Sequence, residues 1–160
     1  MSEIISKAES EISKLNSTPG GTHLRTGEIR KLSSRLFGEL EDKSRENVFR
    51  VCEEFLEKQS WPMRVIAFDF AYRIRKQYGE NTFRVFEKWL TEYVRGWGDC
   101  DDFCTHAFGE LIVQDTSLVK NIIPWTVREE FWMRRAAAVV LIPSIRRNKY
   151  KETNPILISD

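Results

Sequence analysis

"WPMRVIAF" at Trp61–Phe68 and "WMRRAAAV" at Trp132–Val139 are the stretches on which the fold of this chain turns. Each sets an arginine three residues after a tryptophan and follows it with small or β-branched apolar residues. Trp97 lies between them, so the three tryptophans stand 36 and 35 residues apart. Such a period is the length of one helix pair in an α-solenoid, and the competing explanation is chance spacing among five tryptophans.

Outward from these marks the chain carries helical periodicity almost everywhere. Ile4, Ile5, Ala8, Ile12 and Leu15 predict a first helix that "STPGG" (Ser17–Gly21) ends. Ile29, Leu32, Leu36, Phe37 and Leu40 form a second apolar face, and Val48, Cys52, Phe55 and Leu56 a third. Trp61-Pro62 opens a fourth helix, with proline in the first turn where its missing N–H removes no bond. Val65, Ile66, Phe68, Phe70 and Ile74 make that helix apolar on more than one side, so it should be buried. Phe83, Phe86, Leu90 and Val94 follow, and Phe103, Ala107, Phe108, Leu111 and Ile112 continue beyond "VRGWGDCDDFC" (Val94–Cys104). After a short segment around Ser117–Ile122 and Pro124, the last strong helix should run from about Thr126 to Ile142. No stretch alternates with period two, so the expected class is all-α, an α-α superhelix of helix pairs. Stacked pairs curve, and the inner helices would line a concave groove.

Composition narrows the setting. A chain of 160 residues, 41% hydrophobic and 12% aromatic, fits a single globular domain over residues 1–160. "MSEIISKAES" lacks the basic start and apolar run of a signal peptide, and "AAAVVLIP" from Ala136 is too short to span a bilayer. Three cysteines, an odd number, argue against a disulfide framework. A cytoplasmic protein in a reducing compartment, without a membrane partner, is the expectation. Net charge is +1, but residues 120–160 hold eight Lys or Arg against four acids. "IRRNKYK" (Ile145–Lys151) concentrates that excess, either as solvated surface or as a phosphate-facing edge with Arg146, Arg147 and Lys149 as contacts.

The acid-rich junction at Trp97–Cys104 admits several chemistries. Asp99 or Asp101 could cap the helix that starts near Gly98, and Asp99 suits that role, which leaves Asp101 for function. Trp97 could be wedged in a core or could face a ligand. Cys100, Cys104 and His106 suggest a metal, but His106 does not share the face of the two cysteines and there is no CxxC pair. No metal and no cofactor are expected. Cys104 sits in an apolar helix where a thiolate is disfavoured, so it is assigned to the core. Trp132 suits packing better than contact. Arg135 could pair with Glu129 or Glu130, or hold a phosphate, and Arg134 points elsewhere on the helix toward solvent.

The run "WGDCDDFCTHAFGELI" is similar to the signature of the DNA alkylation-repair glycosylases built from HEAT-like repeats, the AlkD-like family. Their pattern is a tryptophan, three residues, an essential aspartate and often a cysteine three further on, here Trp97, Asp101 and Cys104. An aromatic-x-x-Arg opening a later helix matches Trp132 and Arg135 in "FWMRRAAAVVL". The likeness covers roughly Phe49 to Ile142. It implies HEAT-like helix pairs, double-stranded DNA with alkylated bases as partner, and excision of purines made cationic by N3- or N7-alkylation. In that scheme Asp101 is catalytic, Trp97 meets the base or sugar, and Arg135 holds a backbone phosphate. The family usually continues into further helices with another tryptophan, whereas no tryptophan follows Trp132 here, so the expectation is a shortened member, a fragment, or a relative that kept the scaffold and lost activity. The near-neutral charge also departs from the family. The alternative is a non-catalytic helical-repeat module that binds nucleic acid or protein with the same surface.

Overall fold

The computed structural model describes residues 2–16 and 24–147. The expected turn at Ser17–Gly21 and the candidate contact Lys149 lie outside them. Among the described residues every regular element is helical, so the protein is all-α. Its contacts divide into two compact units, one ending at Gln77 and the other starting at Tyr78.

The first unit holds α1 (Glu3–Asn16), α2 (Thr26–Glu39), α3 (Arg45–Leu56) and α4 (Trp61–Arg73). The Ser44 hydroxyl accepts a hydrogen bond from the Asn47 amide and so caps α3. A left-handed residue, Gln59 with φ 56°, turns the chain out of α3. Pro62 then begins α4, as its fixed φ favours. Met63, Val65, Ile66, Ala67, Phe68, Phe70 and Ala71 are all buried, so α4 is enclosed on several sides as its sequence requires. Its one inward acid is satisfied twice: the Ser33 hydroxyl and Arg73 Nε both donate to Asp69 Oδ2, at 2.6 and 2.7 Å.

The second unit comprises α5 (Thr82–Glu92), α6 (Trp97–Thr105), α7 (Ala107–Gln114), α8 (Val119–Ile122), α9 (Phe131–Val139) and α10 (Ile142–Arg146), with 3-10 turns at Thr116–Leu118 and Ile123–Val127. Its core is aromatic. Phe86 meets Phe103 at 5.2 Å and Phe108 at 5.4 Å, and Trp125 meets Phe108 at 5.3 Å. Each such ring contributes about 1.5–3 kcal/mol by burial. The buried Trp125 indole donates to Glu87 Oε2 at 2.8 Å, so its N–H is not left unpaired. These contacts fix α5, α6 and α7 against one another.

Two helices differ from the sequence expectation. The helix expected to start near Gly98 and to carry Phe103 through Ile112 breaks at His106, which has φ −120° and ψ −93°. Thr105 Oγ1 donates to the Asp101 carbonyl at 2.7 Å and His106 Nδ1 lies 2.8 Å from the Asp102 carbonyl, so side chains satisfy the end of α6. The helix expected over about Thr126–Ile142 begins only at Phe131 and stops at Val139. Arg128 and Glu130 are extended, and Pro143 has no N–H with which to carry the ladder onward. Gly109 of α7 faces the Cys104 carbonyl and the Pro143 ring so closely that an added methyl group would overlap both. That contact seats α10 on α7.

Candidate functional site

The inward face of α6 is spent on packing: Cys100, Phe103 and Cys104 are fully buried. Trp97 and Asp101, one helical turn apart, fall on the other side. Gly96, not an aspartate, occupies the cap position, and Asp99 lies in the first turn, 8% exposed. Asp99 therefore complements the positive end of the helix from inside the first turn. Trp97 is 60% exposed, a large departure for so large an apolar ring. Trp89 and Trp125, by contrast, are core residues.

Helix α9 packs beside α6 and buries Met133, Ala136, Ala137 and Val139. The Cys100 thiol donates to the Trp132 carbonyl at 3.3 Å, which pins the two helices together. From the exposed side of α9 Arg135 reaches back across α6. Its Nε donates to Asp101 Oδ1 at 2.6 Å and its Nη2 to Asp101 Oδ2 at 2.8 Å. This two-pronged pairing is the strongest geometry available to guanidinium and carboxylate. Both side chains remain open to solvent, at 39% and 40% exposure. The guanidinium carbon also sits 5.0 Å from the centre of the Trp97 ring, within cation–π range. The bond from Asp101 makes Arg135 hold its proton still more firmly than usual.

Arg135 thus takes Asp101 as its partner rather than Glu129 or Glu130. Glu130 pairs with Arg128, which lowers its carboxyl below the usual range. Arg134, expected to be solvated, is exposed but donates to the carbonyls of Arg128 and Glu129 at 2.6 and 2.8 Å. Trp132 is half-buried, and its indole nitrogen is buried without a hydrogen bond among the described residues. It acts mainly in packing, with Arg95 5.9 Å above its ring. The sequence reading did not pick out Phe131, which is 43% exposed and meets Trp97 edge-on at 6.1 Å.

Of the basic run, Arg146 is exposed, and Arg147 is committed in part: its Nη1 lies 2.6 Å from Glu110 Oε2. The cysteines are free and buried. Burial pushes the Cys52 and Cys104 thiols well above their ordinary range, which makes them poor nucleophiles. Among the described residues no three His, Cys, Asp or Glu side chains gather as metal ligands would. No helix among them is long and apolar enough to cross a membrane.

An exposed aromatic ring, a carboxylate and a guanidinium thus share one surface of two neighbouring helices. Residues 23–159 match the family described as DNA alkylation repair enzyme, and the chain belongs to that family. Membership supports a role in DNA alkylation repair, with DNA as the partner. Comparison with curated proteins returned no match, and comparison with solved structures returned none.

Proposed function

We propose that this protein is a DNA N-glycosylase that removes purines made cationic by N3- or N7-alkylation, with Asp101 as its catalytic carboxylate. The observation that carries the reading is the constellation of Asp101, Arg135 and Trp97 on one exposed surface. In such a lesion the glycosidic electron pair leaves with the base and neutralises it. The sugar becomes oxocarbenium-like, and water adds to C1′ with loss of a proton. A carboxylate beside the sugar stabilises that positive charge and orients the water. Trp97 offers its π face to the cationic base, a contact of about 0.5–2 kcal/mol.

Arg135 gives the free site a further property. Its guanidinium is planar and cationic, lies over Trp97 and engages both oxygens of Asp101. It therefore fills the position that this reading assigns to the lesion. When DNA arrives, a backbone phosphate competes for the same guanidinium fork. Transfer of Arg135 to phosphate releases Asp101 and the Trp97 face together. Arg146 supplies a second phosphate contact. The reaction belongs in the cytoplasm, where three free thiols persist.

The test is single-turnover release of 7-methylguanine from methylated duplex DNA. Asp101→Asn keeps the shape and removes the charge, so release should fall by two orders of magnitude or more, about 3 kcal/mol of transition-state stabilisation. Asp99→Asn should change folding stability rather than release. A parent protein that releases nothing from several alkylated substrates would sink the enzyme reading. One observation favours a second reading, a non-catalytic binding module: with both its oxygens on Arg135, Asp101 could serve only to aim that guanidinium. In that case Asp101→Asn weakens DNA binding and no lesion is excised by either protein.

A further inference from the structure

We infer that Phe131 is a substrate-contact residue, the second apolar wall against which a nucleotide beside Trp97 packs. This rests on the proposed DNA site but not on its chemistry. The two helices that carry the site are built alike. On α6 an aromatic ring and a charge stand at i and i+4, Trp97 and Asp101. On α9 the same spacing sets Phe131 and Arg135. Residues at that spacing share one face of a helix, so each helix presents an aromatic ring followed by a charge. The charges meet in the two-pronged pair, and the rings meet at 6.1 Å with their planes 75° apart.

Folding does not demand a phenylalanine at this place. The core side of α9 is filled by Met133, Ala136, Ala137 and Val139, whereas Phe131 is 43% exposed at the first residue of the helix. Its other neighbour is the half-buried Trp132, whose ring it meets edge-on at 5.4 Å. Trp97 and Phe131 therefore form an open corner of two nearly perpendicular rings. A flat base stacked on one ring meets the other at its edge, a favourable arrangement for aromatic groups. Arg95, with its guanidinium 5.9 Å from the centre of the Trp132 ring that Phe131 meets, puts a second cation beside these aromatic groups. Aromatic platforms with arginines at hand are the general means of holding unstacked nucleotides.

The experiment compares Phe131→Ala, Phe131→Leu and Phe131→Tyr with the parent in the full chain. Binding to a duplex oligonucleotide with a central 7-methylguanine on a 2′-fluorinated sugar, which resists excision, is followed by anisotropy of a dye on the DNA, and release of 7-methylguanine from ordinary methylated duplex is followed under single turnover. Phe131→Ala should weaken binding about tenfold, or about 1.4 kcal/mol, and Phe131→Leu should recover only part of the loss. Phe131→Tyr should bind as the parent does. Thermal midpoints of all three should stay close to the parent, because the ring is outside the core. Parent-like binding by Phe131→Ala overturns the inference, and so does a loss that tracks a fall in thermal midpoint across the three variants. If the parent binds but excises nothing, the glycosylase reading fails, and the binding series still decides the role of Phe131.

Discussion

Two carboxylate–guanidinium pairs in this molecule look equivalent on paper and differ in kind. Asp69 and Arg73 are neighbours on one helix, at i and i+4, and the Ser33 hydroxyl donates to the same aspartate oxygen. Their side chains are 16% and 32% exposed, against the dense interior of α4. Asp101 and Arg135 are 34 residues apart, join two helices, and are 40% and 39% exposed with an accessible tryptophan alongside. The first pair is a local answer to burial: Asp69 must be satisfied where it lies. The second has no such need, since water could serve both groups, and exposed pairs contribute only about 0–1 kcal/mol to stability. An exposed pair that adds little stability, beside an exposed ring, is what the proposed role in binding a ligand requires.

That contrast sets opposite outcomes for matched substitutions. Arg135→Ala should lower single-turnover excision about a hundredfold, about 2.7 kcal/mol, while the midpoint of urea unfolding hardly moves. The loss should exceed that of any other arginine on α9, because Arg135 alone of them reaches Asp101. Equal loss from Arg134→Ala would break the comparison, since Arg134 is tied to the Arg128 and Glu129 carbonyls.

Asp69→Ala should do the reverse. It leaves the Ser33 hydroxyl and the half-buried Arg73 without their shared acceptor, at a cost of about 1–3 kcal/mol. The urea midpoint should fall, with excision per folded molecule unchanged. A variant that unfolds like the parent would show that Asp69 is as dispensable to folding as Asp101.

The two regions were unequally legible in the sequence, for physical reasons. The enclosed α4 was legible because apolar residues fall on several of its faces, and burial of Val65, Ile66, Phe68 and Phe70 follows directly. Trp97, Asp101 and Arg135 were legible singly, by motif. Their meeting was not, because a contact across 34 residues depends on how α6 and α9 pack. Phe131 escaped notice although the signal was present: it stands one turn before Arg135, as Trp97 stands before Asp101. The break at His106 and the late start of α9 were hidden as well. Apolar periodicity runs on past both points, and only the Thr105 and His106 side-chain bonds and the extended Arg128 and Glu130 end the helices.

The smallest expected effect divides two adjacent arginines in the basic run. By sequence Arg146 and Arg147 are equivalent phosphate contacts. Both are exposed, but Arg147, the C-cap of α10, lies 2.6 Å from Glu110, whose side chain is only 10% exposed, whereas Arg146, the last residue of that helix, makes no ion pair among the described residues. A cation paired with a nearly buried carboxylate must abandon it to reach DNA, which leaves that charge with only the 3.4 Å bond from Gln114 Nε2 and is therefore disfavoured. Affinity for duplex DNA should fall with salt, and each phosphate contact adds about 0.9 to the slope of log affinity against log salt. Arg146→Ala should accordingly flatten that slope by about one contact's share, about 0.9. Arg147→Ala should leave the slope nearly as it was and instead lower the thermal midpoint, because Glu110 loses its cationic partner and keeps only the bond from Gln114. Should both variants flatten the slope alike, Arg147 exchanges Glu110 for phosphate as readily as Arg135 is proposed to exchange Asp101. The distinction between a committed cation and an available one would then rest on α6 and α9 alone.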